Sequence, residues 1–394
     1  MMQPQSTTVP AWKLFIAVVS ACAALNILAL GDLLLTHTML NSDFMAFWSF
    51  PRFAATHPVA QIYDAAALQA FQQALYPGFD SFYPYLYAPT LLLPIWWLKW
   101  LSYGWAEIIW TVAGVAALAP AVKLAFPRAH WTVLAALLAS PAALITAATG
   151  ETAFFTTALL LAGVGALPER PALAGIAFGL LTLKPQLGIL IPVFLLARCE
   201  WRAIATATLT ALALAGLSCL AFPPGLWLIW AHTLPQYQAW YFASKGLNLN
   251  IIVTPAANLV ALGVPQNIAW AVQMGCFLAV VAAVAWLARR APHRLAVAAL
   301  LTGTFLAQPH AYAYDSVTLT AALALCITGR PAAWQLGLAA LVYLGPLLLL
   351  TPAWHWFLYA VPEAALLAAV TALALRPAAG HDSGHDPVPY HPAA

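Results

Sequence analysis

Residues 170–202 read RPALAGIAFGLLTLKPQLGILIPVFLLARCEWR, two apolar runs between basic ends with one lysine at the turn. Lys and Arg that flank apolar runs mark the cytoplasmic face of a membrane protein. Arg170 and Arg198 therefore belong inside, and Lys184, in Leu183-Lys184-Pro185-Gln186, lies at the far turn of a hairpin. At 1.5 Å per helical residue, the 14 positions from Arg170 to Lys184 reach about 21 Å. That is short of a bilayer core of roughly 30 Å. Lys184 is expected inside a cavity, below the outer surface. An ionisable group at such depth is a functional candidate by default; the alternative is snorkelling to the headgroups.

The same rule extends along the chain. Lys13, Lys123, Arg170, Arg198, Arg202, Arg289, Arg290, Arg294, Arg330 and Arg376 flank apolar runs, ten of the fifteen basic residues. Asp43, Glu151, Lys184, His310 and Asp315 fall at the opposite ends. They form a candidate site open to the exterior. Of 394 residues, 63% are apolar and only 7% charged, against about 25% charged in a soluble domain. The chain reads as an all-α integral membrane protein, one domain over residues 1–376 without a sizeable soluble part. Net charge is +3 with no basic cluster away from the loop ends, so nucleic acid is excluded as a partner. Cys22, Cys199, Cys219, Cys276 and Cys326 show no CxxC spacing and read as core residues. The run 14–35 is long for a signal-peptide core and reads as a retained anchor.

Candidate spans are 14–35, 105–123, 131–147, 152–167, 172–183, 186–197, 203–222, 267–288, 295–307, 315–328, 334–350 and 357–375. Several are short, which implies tilting, thinning or burial among neighbours. Stretches 86–101 and 251–263 are ambiguous. With Lys13 and Arg170 inside, an even number of crossings separates residues 85 and 151. One of three apolar runs there must fail to cross. Pro84, Pro89 and Pro94 make 86–101 the broken one. The total is about twelve crossings.

Two external regions are long. The first, 36–85, holds two expected surface helices, near 43–56 and 59–74. Asp43, Phe44, Phe47, Phe50 and Ala54 share one face, as in an interfacial helix. The second, 223–252, carries Trp227, Trp230, Trp240 and Tyr241 at a density that suits the headgroup level. Residues 377–394 read as a disordered cytoplasmic tail. Its His381, His385 and His391 form either a solvated tract or a metal-binding one.

Asp43, in Asn41-Ser42-Asp43-Phe44, sits beside aromatics that should raise its proton affinity, which suits a general base. It could equally cap the helix that follows. A lipid-linked phosphate would supply the counter-charge that Lys184 lacks. His310 lies in Gln308-Pro309-His310-Ala311-Tyr312-Ala313-Tyr314-Asp315, an external turn that is either chemical or a hydrogen-bonded interfacial belt. Glu151, in Gly150-Glu151-Thr152, could instead complement a helix dipole. There is no P-loop, GxGxxG, HExxH or GxSxG in context, so nothing points to nucleotide or redox chemistry.

The order of elements carries a resemblance. An anchor span and an external Asp43 precede an Ile62-Tyr63-Asp64 turn, then Tyr83-Pro84-Tyr85 leads into an apolar run. A Gly-Glu span start, the Leu-Lys-Pro-Gln hairpin ending in Arg198-Cys199-Glu200-Trp201-Arg202, and a late Gln-Pro-His turn follow. Over roughly residues 10–375 this resembles the polyprenol-phosphate-sugar-dependent glycosyltransferases of family 87, which have the GT-C fold. The resemblance implies a GT-C-type bundle in the cytoplasmic (inner) membrane with its active site facing outward. It implies a polyprenyl-phosphate-linked sugar donor, mannose first, and a lipid or glycan acceptor, among membrane lipids. Asp43 would be the base and His310 the late histidine of the family. Lys184 and Gln186 would meet the donor phosphate, and Glu151, Tyr63, Tyr312 and Asp315 the substrates. Asn41 and Phe44 flank Ser42-Asp43, so the chain departs from a paired-acid motif, and neither metal nor cofactor is implied. Two other readings are a transporter or flippase for a lipid-linked sugar and a non-catalytic envelope scaffold.

Overall fold

A computed structural model describes residues 11–36, 42–75, 81–243, 251–327, 331–349 and 358–375. Apolar residues dominate every face of the longer segments, and helices satisfy their own backbone groups, so helix is the form such runs take in lipid. Among the described residues the only strand-like pairing is a single antiparallel bridge, Ile252 to Tyr312. The helices are α1 Ala11–Thr36, α2 Phe44–Thr56, α3 Ala65–Leu75, α4 Leu92–Ile95, α5 Tyr103–Ala125, α6 His130–Ala139, α7 Pro141–Thr149, α8 Ala153–Ala166 and α9 Pro171–Leu180. They continue with α10 Ile191–Ala197, α11 Trp201–Ala221, α12 Leu226–Ala243, α13 Pro255–Ala261, α14 Gln266–Arg290, α15 His293–Ala307, α16 Val317–Cys326, α17 Ala333–Leu349 and α18 Ala360–Leu375.

Among the described residues, α5, α11 and α14 are long and apolar enough to cross a membrane. A fourth candidate is α6 with α7, bent by 60° at its break. Ser140 and Pro141 make that break: the Ser140 side chain caps α7 by accepting from Ala143 N at 3.2 Å, and proline takes the first helical position. Eight shorter apolar helices of 10–17 residues complete the set. The expected count of about twelve crossings needs every one of those eight to cross as well.

Small residues bring the helices together. A Cβ on Gly114 would lie 2.9 Å from Phe154 Cβ, and one on Gly165 would lie 2.6 Å from Ala125 N. Thus α5 and α8 run side by side in the same direction. Gly179 likewise meets Ala207 O at 2.6 Å, so α9 packs on α11 with backbones almost touching. Buried side-chain amides tie the ends. Asn26 of α1 donates to Leu138 O and Ser140 O at 3.3 and 3.1 Å, fastening α1 to the α6–α7 break. Gln273 of α14 donates to Leu306 O at 2.9 Å and accepts from Ala256 N at 3.1 Å. It joins the C-terminal end of α15 to the start of α13. Two cores result: a large aliphatic one among the bundle helices and a smaller aromatic one around α2 and the segment before α5.

The broken segment is as expected. Residues 89–100 form a 3-10 turn, the four-residue α4 and a second 3-10 turn, with Leu91, Leu92, Ile95 and Leu98 buried. Three expectations need correction. First, α2 is not an interfacial helix with a lipid-facing apolar side. Phe44, Phe47, Phe50 and Phe53 are all buried in the aromatic core, because Trp110, Tyr85, Tyr87 and Tyr103 pack against that side. Second, residues 223–252 are not all loop: 226–243 form α12, which tolerates Pro235 inside it. Third, Cys199 is not a core residue. It is exposed, with a left-handed φ of 56°, at the α10–α11 turn. Among the described cysteines only Cys22 is buried. The Tyr312–Asp315 stretch is packed within the protein: Asp315 is 1% exposed and Tyr314 5%. The tail, Arg330, Arg376, and part of each long outer region lie outside the described residues.

Candidate active site

The site forms where α2, the α7–α8 turn, the α9–α10 turn and the start of α16 converge. Asp43 precedes α2 and is half-buried. Its side chain makes no cap hydrogen bond to the helix, so the capping alternative is not what holds it there. The Tyr83 hydroxyl donates to the carboxylate instead. Burial raises the proton affinity of Asp43 above the ordinary carboxylate range, while the Tyr83 hydrogen bond and the nearby Lys184 charge oppose that rise.

Gly150 explains how the next acid is placed. It ends α7 with φ 66°, a left-handed turn that suits glycine. A Cβ there would fall onto the Phe44 side chain, next in sequence to Asp43. Trp110 of α5 donates to Gly150 O at 3.0 Å and locks the turn. Glu151 then stands just before α8 and accepts from Thr152 N at 3.1 Å. Its carboxyl is pushed up to about 7, chiefly by burial and further by Asp43 and Asp315, with Lys184 pulling the other way.

Lys184 is buried at the break between two 3-10 turns, Leu181–Leu183 and Pro185–Gly188. Its ammonium donates to Asp315 Oδ1 at 2.8 Å and to Thr152 Oγ1 at 3.3 Å, and lies 3.8 Å from Glu151 Oε2. Burial lowers its proton affinity; the carboxylates of Asp315, Glu151 and Asp43 outweigh burial and hold it above its ordinary value. The counter-charge expected from a phosphate is therefore already present in the protein. Sequence gave no sign of this because Asp315 lies 131 residues away. The Lys184 ammonium also sits 4.9 Å from the Tyr314 ring.

The remaining candidates are spread round this cluster. His310 is half-buried on the turn before α16, and burial pushes its imidazole down to about 4. It is neutral at neutral pH and is not among the groups that set the charge on Lys184. Tyr312 stacks on Tyr314 with ring centres 5.1 Å apart, and its N–H donates to Asp315 Oδ2 at 3.3 Å. Tyr63 is buried and donates to Tyr87 O at 2.9 Å, which ties it to the wall of the site. Gln186 is half-buried in the turn after Lys184. Among the described residues no set of three His, Cys, Asp or Glu side chains could hold a metal ion.

Sequence reading missed four contributors. Tyr83 was visible in its Tyr-Pro-Tyr motif but not as a partner of Asp43. Tyr87 and Tyr314 sense the charges of Glu151, Asp315 and Asp43. Glu107 of α5 accepts from Ser42 Oγ at 3.3 Å, and Ser42 also bonds the Tyr103 hydroxyl at 2.8 Å. An acid inside a predicted span was the available signal for Glu107.

An all-helical membrane protein with three carboxylates round one ammonium at the helix ends has the build of a membrane-embedded enzyme. The family model for glycosyltransferase family 87 matches residues 85–309, more than half of the chain, and the chain belongs to that family. It is thus a membrane glycosyltransferase. The matched stretch contains Glu151 and Lys184, while Asp43, His310, Tyr312 and Asp315 fall outside it. No curated protein and no solved structure matches the chain.

Proposed function

We propose that this glycosyltransferase moves a sugar, mannose first, from a polyprenyl-phosphate donor to an acceptor hydroxyl on the outer face of the cytoplasmic membrane. The observation that carries the reading is Asp43. It is half-exposed, has raised proton affinity, is aimed by Tyr83 and is free of any capping duty. Glu151 and Asp315 are buried and paired, so neither is as well placed to meet an incoming hydroxyl. In the proposed step the acceptor O–H gives its proton to Asp43 and its oxygen bonds the anomeric carbon. The bond from that carbon to the donor phosphate breaks, and the polyprenyl phosphate leaves with the electron pair. A single displacement inverts the anomeric centre.

Support for a lipid donor comes from a groove of about 570 Å³ lined by Leu93, Pro94, Leu180, Leu183, Leu214 and Leu217. It runs between the broken segment, α9 and α11, and Leu183 adjoins Lys184. An isoprenoid tail needs such a wall, and burial of each CH₂ contributes about 0.8 kcal/mol. Lys184, with Gln186, would then stabilise the charge that develops on the departing phosphate. Three carboxyl groups round one cation oppose an anion, so phosphate entry favours a protonated Glu151, which its affinity near 7 permits.

The test is transfer of radiolabelled sugar from polyprenyl phosphate by purified protein. Asp43→Asn keeps the shape and removes the basicity. A general base contributes about 10²–10⁴-fold, and a loss in that range is expected with expression and melting temperature unchanged. Retention of more than about a tenth of wild-type turnover would remove Asp43 as the base.

A further inference from the structure

Tyr83 lies in the extended stretch that leads into the broken segment, where no strand pairs with its backbone. Gln72 of α3 takes that place. Fully buried, it donates to Tyr83 O at 2.9 Å and accepts from Tyr83 N at 3.1 Å, and it gives a second hydrogen to Ser49 Oγ at 3.1 Å. One amide thus satisfies both backbone groups of one residue, as a neighbouring strand would. Ser49 belongs to α2, the helix that Asp43 precedes, and its hydroxyl donates to Ala46 O at 3.1 Å. The clamp therefore ties the tyrosine to the same helix that carries the acid.

We infer that Gln72 and Tyr83 are positioning residues for the acid of this site: Gln72 fixes the Tyr83 backbone, and the Tyr83 hydroxyl aims the Asp43 carboxylate. The kinetic consequence rests on Asp43 being the base; the structural one does not. Groups facing Asp43 come from every neighbouring element. They are Tyr83 and Tyr87 from the loop, Tyr103 from α5, Glu151 from the α7–α8 turn, Lys184 from the α9–α10 turn and Tyr314 from the turn before α16. Only Tyr83 hydrogen-bonds the carboxylate among the groups that set its proton affinity. Loss of that hydroxyl leaves the Lys184 charge alone to oppose burial.

The experiment is a difference-infrared titration of the Asp43 carboxyl band, assigned by its absence in Asp43→Asn. Tyr83→Phe keeps the ring and its packing. Its Asp43 midpoint should rise by about one to two pH units, the size of one hydrogen bond to a charged group. Gln72→Met, which removes the clamp but not the hydroxyl, should raise the midpoint by less. If it does not purify, Gln72→Leu, which removes both the donor and the acceptor without adding a charge, takes its place with the same expectation. The acid limb of kcat/KM should move with the midpoint in each variant, with KM for the acceptor changing less than kcat. An unchanged midpoint in Tyr83→Phe overturns the inference, and an unchanged midpoint in the Gln72 variant overturns the clamp. If the midpoint moves while Asp43→Asn still transfers sugar, the positioning stands and the base assignment falls.

Discussion

Lys184 shows what a buried charge demands. With Asp315 at 2.8 Å and Glu151 at 3.8 Å it is paired inside the protein. Removal of one partner of such a pair costs roughly 3–5 kcal/mol because it strands the other. Lys184→Met should therefore melt well below wild type, and adding Asp315→Asn should recover much of the loss without restoring transfer. Recovery of transfer in the double variant would show that the cation has no part in the chemistry. The acids give a pH signature. Asp43 must be ionised to act, so kcat should fall as pH drops through its raised proton affinity, at higher pH than for an ordinary carboxylate. Glu151, pushed up to about 7 from an unfolded value near 4.3, binds more protons folded than unfolded in that interval. Its stabilising contribution is complete below the unfolded value and is lost as pH rises through about 7. Melting temperature should show that slope, and Glu151→Gln should flatten it. At this scale charge was legible: Asp43, Glu151, Lys184 and Asp315 stand out in a chain with 7% charged residues. Uncharged partners were not, because Tyr83 in a loop and Gln72 on an expected surface helix read like surface, and Ser42 discloses nothing of Glu107, 65 positions on.

Among the elements, the α7–α8 turn decides most. Gly150 is left-handed and meets Phe44, so Gly150→Ala both strains the backbone and pushes the start of α2 away from Trp110. A left-handed non-glycine residue costs about 1–3 kcal/mol. The variant should lose that stability and also lose turnover, because Asp43 moves with Phe44. A melting-point drop with full turnover would show that the two helices are not coupled through this contact. Helix positions were well read from sequence, since an apolar run between basic ends has one outcome in lipid. The Pro-rich stretch at 86–101 was rightly read as broken, but the same logic hid α12. There the tryptophans were read as a headgroup-level external region, whereas an apolar turn on each side of Pro235 carries the helix through. The aromatic face of α2 was found, but not its cover, which comes from Tyr85, Tyr87, Tyr103 and Trp110, well beyond it in sequence.

For the whole molecule, the basic ends fix one direction. Arg198 donates to Ala288 O at 3.2 Å, Arg289 to Ala197 O at 3.2 Å, and His293 bonds Val164 O at 3.2 Å, so the turns expected inside do meet at one end. Cys199 lies exposed at that end. In intact cells an impermeant thiol reagent should leave Cys199 unmodified and should modify Thr56→Cys, with Cys199 reacting only after permeabilisation. Labelling of Cys199 in sealed cells would invert the orientation.

The pairing of Lys184 with Asp315 also sets a schedule for making the protein. Their separation is 131 residues. At roughly 5–20 residues per second of synthesis, the lysine leaves the ribosome some 7–26 s before its strongest partner. Glu151, already made, is the one acid of the cluster besides Asp43 that can accompany it meanwhile. Chains halted before Asp315 would carry a buried ammonium with incomplete compensation, and such nascent chains are expected substrates for membrane quality control. Glu151→Gln should then lower the yield of inserted protein more than its effect on the finished fold accounts for, a deficit that slower or cooler expression deepens.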